Sequence, residues 1–390
     1  MDLTAKQNRG KMIFFSLIGL FTITSFILYY NQLQYPITGL FESDTAVHVD
    51  FAVNQHYYHS LAAFIYLFLS LFPAADSLIA FVLAVTTSMT VYVTFKLFKE
   101  INEREKGYLG DNLLYVLSIF ANFVMGFYIK AANKQHYIGY ENANMWHNST
   151  YIFMRFFAVL TVLSFLKLYD TYKEKVDLKK FFVFTLLLTI TTGFKASFLT
   201  VFAPVLAIIL LIDLIKGTKF NNVFIMALSV VAPIGVMILQ SIVMSGSDNS
   251  NGYTISPFTA LAMRGDHPKV TLVLSVLFPL IVLFTHIKDF YKNKIYFGTL
   301  IMWAVAFLEV FLLAETGERN LDSNFFWGYS IALFFLFIVS MFVSMKDFVA
   351  GNKKRFGFYI TILETIALLW HVISGIWYYC LLFTGVTYFV

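Results

Sequence analysis

Long apolar runs alternate with short polar loops along the whole chain. The runs reach about 18 residues or more, the length of helix that crosses a hydrocarbon core of about 30 Å. Repeated runs of this length predict an all-α polytopic membrane protein, with a single transmembrane domain over residues 1–390. We predict eleven membrane-spanning helices, at about 12–30, 77–98, 111–129, 151–169, 181–194, 197–215, 221–245, 270–287, 294–314, 326–345 and 357–379.

The positive charges divide the loops into two sets. Alternate loops, together with the N-terminal segment, carry 21 of the 28 Lys and Arg residues. Because Lys and Arg retain loops in the cytoplasm, this set predicts a cytoplasmic N-terminus and fixes the side of every other loop. The extracytoplasmic set then consists of outer loop one at about 31–59 and the loops at 130–150, 246–269 and 315–325.

One further apolar stretch, 60–75, could be taken for a twelfth span. If it crossed, every later loop would change sides and most of the positive charge would become external. Pro73 ends this stretch, and Asp76 begins the next helix. We therefore predict that 60–75 is a short helix lying in, or dipping into, the outer membrane interface.

The composition narrows the class of protein further. A chain that is 59% hydrophobic and 13% charged is not an ordinary soluble globule, and its net charge of +5 suits anionic lipid rather than nucleic acid. The single cysteine, Cys380, excludes an intramolecular disulfide, which fits a bacterial plasma membrane. P-loop, dinucleotide-binding, nucleophile-elbow and zinc-protease signatures are absent, and the cytoplasmic loops are too short for a nucleotide-binding domain.

Outer loop one holds the acidic candidates for chemistry, Glu42, Asp44 and Asp50. His48 follows Asp44 by four residues, so the two share a face if the segment is helical. A carboxylate here could act as a general base, or Asp44 and Asp50 could ligate Mg²⁺ or Mn²⁺. The alternative is that these residues form a solvated acidic loop.

The other outer loops supply complementary groups. His147 and Asn148 precede a span, where Ser149 or Thr150 is expected to cap the helix. Lys195 lies at the tip of a helical hairpin over 181–215, and the remaining candidates, in the last two outer loops, are Arg264, Glu315 and Arg319. Sparse cations among carboxylates suit a phosphate or diphosphate group at the bilayer surface. Snorkelling to the interface is the alternative for each cation taken alone.

These features resemble the membrane-embedded glycosyltransferases of the GT-C superclass. The resemblance is carried by Glu42-Ser43-Asp44 in loop one and by the interfacial segment 60–75. The combination of WHNST, FKASF and ETGER–NFFWG further resembles multispan proteins of bacterial capsule and wall-polysaccharide loci. It implies inverting transfer of a sugar from a polyprenyl-phosphate donor to a glycan or lipid-linked acceptor on the extracytoplasmic face. Asp44 would be the base or metal-contacting carboxylate, assisted by Glu42 or Asp50.

The same resemblance implies that Lys195, Arg264 or Arg319 holds the lipid phosphate. The other predicted substrate-binding residues of the outer loops are His48, His147, Asn148 and Glu315. Two other functions stay open at this point. A polysaccharide repeat-unit polymerase or ligase would rely on the outer Arg and His residues. A flippase or transporter of lipid-linked sugars would need charged residues along a path through the membrane, where few occur.

Overall fold

The structure is a computed structural model that describes residues 3–35, 41, 43–134, 136, 140–144, 146–245, 252–265, 267–317, 324–349 and 355–384. Within these residues, helices account for nearly all regular structure. The helices are α1 (Leu3–Gln34), α2 (Asp44–Val53), α3 (Leu61–Leu69), α4 (Ala75–Arg104), α5 (Asp111–Ala121), α6 (Ser149–Tyr172), α7 (Leu178–Phe194), α8 (Ser197–Ile215), α9 (Phe220–Leu228), α10 (Val231–Ser245), α11 (Thr259–Ala262), α12 (Pro268–Ser275), α13 (Leu277–Thr285), α14 (Ile287–Lys292), α15 (Lys294–Leu312), α16 (Phe325–Val349) and α17 (Arg355–Leu382).

Eight of the described helical segments are long and apolar enough to cross a membrane, and the count is nine if the bent pair α12–α13 forms one crossing. The chain is therefore an all-α polytopic membrane protein. The predicted number of eleven is not confirmed, since α5 has 11 residues and α7 has 17. The eight segments are Gln7–Gln34, Ala75–Arg104, Ser149–Tyr172, Ser197–Ile215, Phe220–Met244, Lys294–Leu312, Phe325–Lys346 and Gly357–Leu382.

The prediction of a continuous helix over 111–129 is wrong. The helix α5 ends at Ala121, and the chain continues as buried, non-helical backbone. Side-chain amides satisfy this backbone: Asn142 accepts a hydrogen bond from the Gly126 amide at 2.7 Å, and Asn144 donates to the Val124 carbonyl at 2.6 Å. Irregular backbone is tolerated at membrane depth only where protein surrounds it, as here.

Arg155 explains how the same region accommodates a positive charge inside a span. Its guanidinium donates to Asn144 and, at 3.0 Å, to Asn122, and it lies 5.1 Å from the centre of the Phe334 ring. The arginine thus joins α6 to both ends of the non-helical segment. Arg155 is held by protein groups, which is the arrangement that a buried charge requires.

His371 in α17 is a packed interface histidine. Its Nδ1 donates to the Met125 carbonyl at 2.6 Å, while its Nε2 accepts from the Phe278 amide at 3.3 Å. Phe278 lies in the first turn of α13, directly after the break that bends α12 and α13 by 61°. The histidine therefore satisfies backbone groups on two irregular elements at once.

Gly375, one turn further along α17, allows the non-helical segment to approach the helix. A Cβ atom at position 375 would overlap the carbonyl oxygen of Phe123. The absence of a side chain therefore permits direct contact between the backbones of the two elements.

The segment 60–75 contains the nine-residue helix α3, which is too short to cross a membrane by itself. Helix α3 ends at Leu69, before Pro73, and α4 begins at Ala75 with Asp76 in its first turn. Its place at the outer membrane interface stays a prediction.

Most of the basic loops lie at one end of the helix bundle, which we call the basic end. There, Arg104 pairs with Asp170, Lys173 pairs with Asp213, and Lys346 lies 3.8 Å from Glu105. These contacts join the C-terminal ends of α4, α6, α8 and α16.

A small antiparallel sheet was not predicted by the sequence pattern. Its strands are β1 (Gly252–Ile255) and β2 (Leu313–Thr316), and their register pairs Gly252 with Thr316. Each strand is only four residues long, so no alternating pattern of useful length exists in the sequence.

Candidate functional site

Asp44 is the first residue of α2, and its position is fixed by the chain just before α6. The Asp44 amide donates to the His147 carbonyl at 3.0 Å, and the Ser43 hydroxyl donates to the same carbonyl at 2.5 Å. Ser43 also caps α2 by accepting a hydrogen bond from the Thr45 amide. Outer loop one and the WHNST segment therefore form one structural unit.

Asn148 has two roles in this unit. Its side-chain oxygen caps α6 by accepting from the Tyr151 amide at 2.9 Å, and its amide nitrogen donates to Asp44 Oδ2 at 2.8 Å. The prediction that Ser149 or Thr150 caps this helix is wrong. Because Asn148 is itself anchored by a helix terminus, it holds the Asp44 carboxylate in one orientation.

His48 lies one turn after Asp44, with its ring 5.2 Å from the ring of His59. Both ring nitrogens of His48 are buried, and neither has a hydrogen-bond partner among the residues that the structure describes. Burial, followed by the charge of Lys195, lowers the pKa of His48 to about 3. A neutral imidazole with two unsatisfied nitrogens is suited to bind a polar group of a ligand.

Lys195 terminates α7 in extended backbone and lies at the predicted hairpin tip. Its ammonium donates to the Thr150 hydroxyl at 3.1 Å and lies 4.1 Å from the centre of the Trp327 ring. Thr150 is in the first turn of α6, so the lysine reaches the same helix terminus that Asn148 caps. This contact brings the lysine to the region of Asp44.

His147 lies between the acidic and basic groups of the site. Burial lowers its pKa to about 4; the charges of Lys195 and Arg264 add to this effect, and the charge of Asp44 opposes it. The imidazole is therefore neutral at pH 7, although the carboxylate of Asp44 favours its charged form. His147 connects the region of Asp44 and Lys195 to that of Arg264.

Arg264 and Glu141 form the other side of this region. The Arg264 guanidinium lies 3.9 Å from the centre of the Phe326 ring, and its buried Nε has no hydrogen-bond partner within the described ranges. Glu141 is 5% exposed, and burial raises the pKa of its carboxyl to about 7, while Arg264 partly offsets this rise. We define the site as Asp44, His48, His147, Asn148, Lys195 and Arg264, with Glu141 and Trp327 beside it.

Asp50 and Glu315, two of the predicted acidic residues, have other surroundings. Asp50 is exposed, and hydrogen bonds from Asn54 and Gln55 lower the pKa of its carboxyl. The carboxylate of Glu315 accepts hydrogen bonds from the amide and side chain of Asn324, which precedes α16. Neither of these hydrogen-bonding arrangements involves Asp44. Glu42 and Arg319 lie outside the described residues.

The described neighbours of Asp44 supply few oxygen ligands for a divalent metal ion. Mg²⁺ and Mn²⁺ prefer several oxygen ligands, whereas the neighbours of Asp44 include Lys195 and two imidazoles. No group of three or more His, Cys, Asp and Glu residues that could hold a metal ion is found among the described residues. The proposed pair of Asp44 and Asp50 thus gains no support as a metal site.

Three neighbours of the site were not predicted as site residues: Glu141, Thr150 and Trp327. Thr150 and Trp327 lie in the WHNST and NFFWG motifs, so the sequence already indicated these two positions. Glu141 lies in the same predicted outer loop as His147, but only its burial in the fold separates it from an ordinary solvated carboxylate. No protein-family model and no curated protein matches this chain.

Glu141 gives a stability prediction with a defined pH dependence. Between pH 4.5 and about 7 the folded protein holds a proton that the unfolded chain releases, so stability falls as the pH rises through this window. The free-energy change is on the order of 3 kcal/mol. We expect Glu141→Gln to raise the melting temperature in detergent at pH 8 more than at pH 5.

The matched control is Glu103→Gln, because Glu103 is exposed and the charge change is the same. A melting-temperature difference between Glu141→Gln and wild type that stays constant from pH 5 to pH 8 would contradict the assignment of a raised pKa to Glu141.

Proposed function

We propose that this protein is a membrane-embedded glycosyltransferase that uses a polyprenyl-phosphate-linked sugar on the extracytoplasmic face of a bacterial plasma membrane. The observation that carries the proposal is that a carboxylate in a fixed orientation and a cation lie at the same end of α6. Asp44 is held by Asn148, and Lys195 reaches the same end of α6 through Thr150. Transfer of a sugar from a lipid phosphate uses a negatively charged group to accept the acceptor proton and a positively charged group to stabilise the leaving phosphate.

The carboxylate would act on the acceptor. As the acceptor oxygen attacks the anomeric carbon, Asp44 takes the proton from the acceptor hydroxyl. The bond between the anomeric carbon and the phosphate oxygen breaks, and its electron pair leaves with the lipid phosphate. The products are the glycosylated acceptor with inverted configuration, the polyprenyl phosphate and one proton on the carboxyl group.

The cations would act on the leaving group. Negative charge develops on the bridging phosphate oxygen as the glycosidic bond breaks, and Lys195 and Arg264 supply positive charge in a partly buried site. The buried Nε of Arg264 leaves one N–H directed at neither solvent nor a described protein group. Such a donor is available for a phosphate oxygen.

Neutral groups would position the sugar. His48 offers two buried ring nitrogens without partners in the described structure, and at pH 7 it can accept or donate hydrogen bonds without adding charge. Trp327 lies beside His147, with ring centres 6.1 Å apart, and its indole is partly exposed. An indole face beside hydrogen-bonding groups suits a sugar ring.

The distribution of charge supports the proposed sidedness. Lys and Arg residues favour retention in the cytoplasm, and the basic end of the bundle is opposite to the end that holds Asp44 and Lys195. Loop one, including α2, would then be external, on the face where we place the polyprenyl-phosphate donor. The acceptor would be a glycan or a second lipid-linked sugar.

Binding of labelled polyprenyl phosphate to the protein in nanodiscs tests the proposal. We expect Lys195→Gln to weaken binding by about tenfold or more, because a charge-assisted hydrogen bond to phosphate is lost. The matched control is Lys269→Gln, because Lys269 is exposed and lies over the Phe258 ring. Unchanged affinity in a folded Lys195→Gln protein, or an equal loss in the control, would contradict the role of Lys195.

A further inference from the structure

A cavity opens at the basic end, away from the site of Asp44. Its volume is about 620 Å³, within the range of small-molecule sites. The walls come from α4, α6, α8, α15 and α16, and most of the lining side chains are aliphatic or aromatic. Apolar space of this size inside a helix bundle suits a hydrocarbon chain.

The cavity is deep as well as apolar. Lys294 and Met302 both line it and are eight residues apart on α15, a rise of about 12 Å in an α-helix. Lys216 and Phe202, at the end and near the start of α8, are fourteen residues apart, a rise of about 21 Å. The lining therefore extends from the charged loops well into the hydrocarbon depth.

The charges at the mouth are unbalanced. Three of the lining carboxylates have basic partners: Asp170 pairs with Arg104, Asp213 with Lys173, and Glu105 with Lys346.

The lining also contains three exposed lysines, Lys216, Lys292 and Lys294. None of them forms an ion pair with a carboxylate among the side chains that the structure describes. Within the described part of the chain, the mouth thus combines an excess of positive charge with the entrance to an apolar cavity.

We propose that this cavity binds an anionic phospholipid, with an acyl chain inside the bundle and the phosphate group at Lys216, Lys292 and Lys294. Charge complementarity selects the lipid: a basic pocket between membrane helices at the cytoplasmic end attracts anionic headgroups. A zwitterionic lipid would fill the apolar space equally well but would gain little at the three lysines. The inference does not depend on the glycosyltransferase proposal.

Native mass spectrometry of the full chain, released from nanodiscs of equal parts phosphatidylglycerol and phosphatidylcholine with identical acyl chains, tests the proposal. We expect phosphatidylglycerol to be retained in clear excess. The combined variant Lys216→Gln, Lys292→Gln and Lys294→Gln should lower that excess by about tenfold or more, because each lysine near a lipid phosphate contributes to the attraction.

The matched control replaces three exposed lysines that do not line the cavity, Lys106→Gln, Lys175→Gln and Lys179→Gln, and it should retain the lipid like wild type. Equal retention of both lipids by wild type, or an equal loss in this control, would overturn the proposal. So would displacement of the lipid by inorganic phosphate at millimolar concentration, since a free anion would then be sufficient.

A second variant tests the cavity and does not depend on the lysines. Gly298 lines the cavity, and a Cβ atom there would meet only Ile209 Cδ1, at 3.8 Å. We expect Gly298→Leu to fold and to release phosphatidylglycerol, because its side chain occupies the space for the acyl chain. Retention of the lipid by a folded Gly298→Leu protein would place the lipid outside the cavity and overturn the proposal.

Discussion

Replacing Asp44 by Asn is expected to lower glycosyl transfer by about a hundredfold or more, the usual contribution of a general base. The amide oxygen introduced at position 44 would still accept the hydrogen bond that Asn148 donates to Asp44. The variant, however, has no carboxylate to take the acceptor proton. Folding should therefore be preserved while the chemical step is lost.

The measurement is transfer of radiolabelled sugar from a polyprenyl-phosphate donor by the protein in nanodiscs, with thermal unfolding measured on the same samples. The matched control is Asp50→Asn, because Asp50 lies on the same helix but is exposed and bound to Asn54 and Gln55. Asp50→Asn should transfer sugar like wild type.

Other outcomes distinguish the alternatives. Full activity in Asp44→Asn would reject Asp44 as the base. If that variant were active and Arg264→Gln inactive, the result would favour the repeat-unit polymerase or ligase. Movement of a lipid-linked sugar across vesicles without covalent change would favour a flippase.

Replacing Gly375 by Ala is expected to cause the largest loss of stability among the glycine substitutions at helix contacts. The new Cβ would overlap the carbonyl of Phe123, and this oxygen belongs to backbone that cannot rotate away. Overpacking of this kind costs about 1–3 kcal/mol and more when the backbone must shift. The melting temperature should fall by several degrees.

The control for this prediction is Gly235→Ala in α10. A Cβ at position 235 would meet no heavy atom within 4 Å, and alanine favours the helix more than glycine does. Gly235→Ala should therefore leave the melting temperature unchanged or raise it slightly. A Gly375→Ala protein as stable as this control would contradict the close contact between α17 and Phe123.

The sequence pattern predicted the class of fold because hydrocarbon depth imposes a minimum helix length, which apolar runs report directly. It failed at 111–129, where the run stays apolar while the backbone leaves the helix after Ala121. The residues that permit this change, Asn142 and Asn144, lie far along the chain and act through tertiary hydrogen bonds. The hydropathy of a segment does not depend on such bonds and cannot predict them.

For the candidate site, too, the sequence predicted some features and could not predict others. Asp44, Asn148 and Lys195 were expected in one region because their loops fell on one side by charge, and their contacts bring them together. Asp50 and Asp44 could not be separated by sequence, since both are acidic residues of the same loop. Their difference arises from local hydrogen bonds, because Asn54 and Gln55 bind Asp50 and Asn148 binds Asp44.

The short sheet β1–β2 determines the path of the bent pair α12–α13. Hydrogen-bonded strands are about 4.8 Å apart, whereas the two faces of the hydrocarbon core are about 30 Å apart. Both strands therefore lie on one face, and the chain between them must traverse the bilayer an even number of times. If α15 provides one of these traverses, α12 and α13 together must provide another. In that case their 61° bend is a kink within a traverse and not the apex of a re-entrant loop.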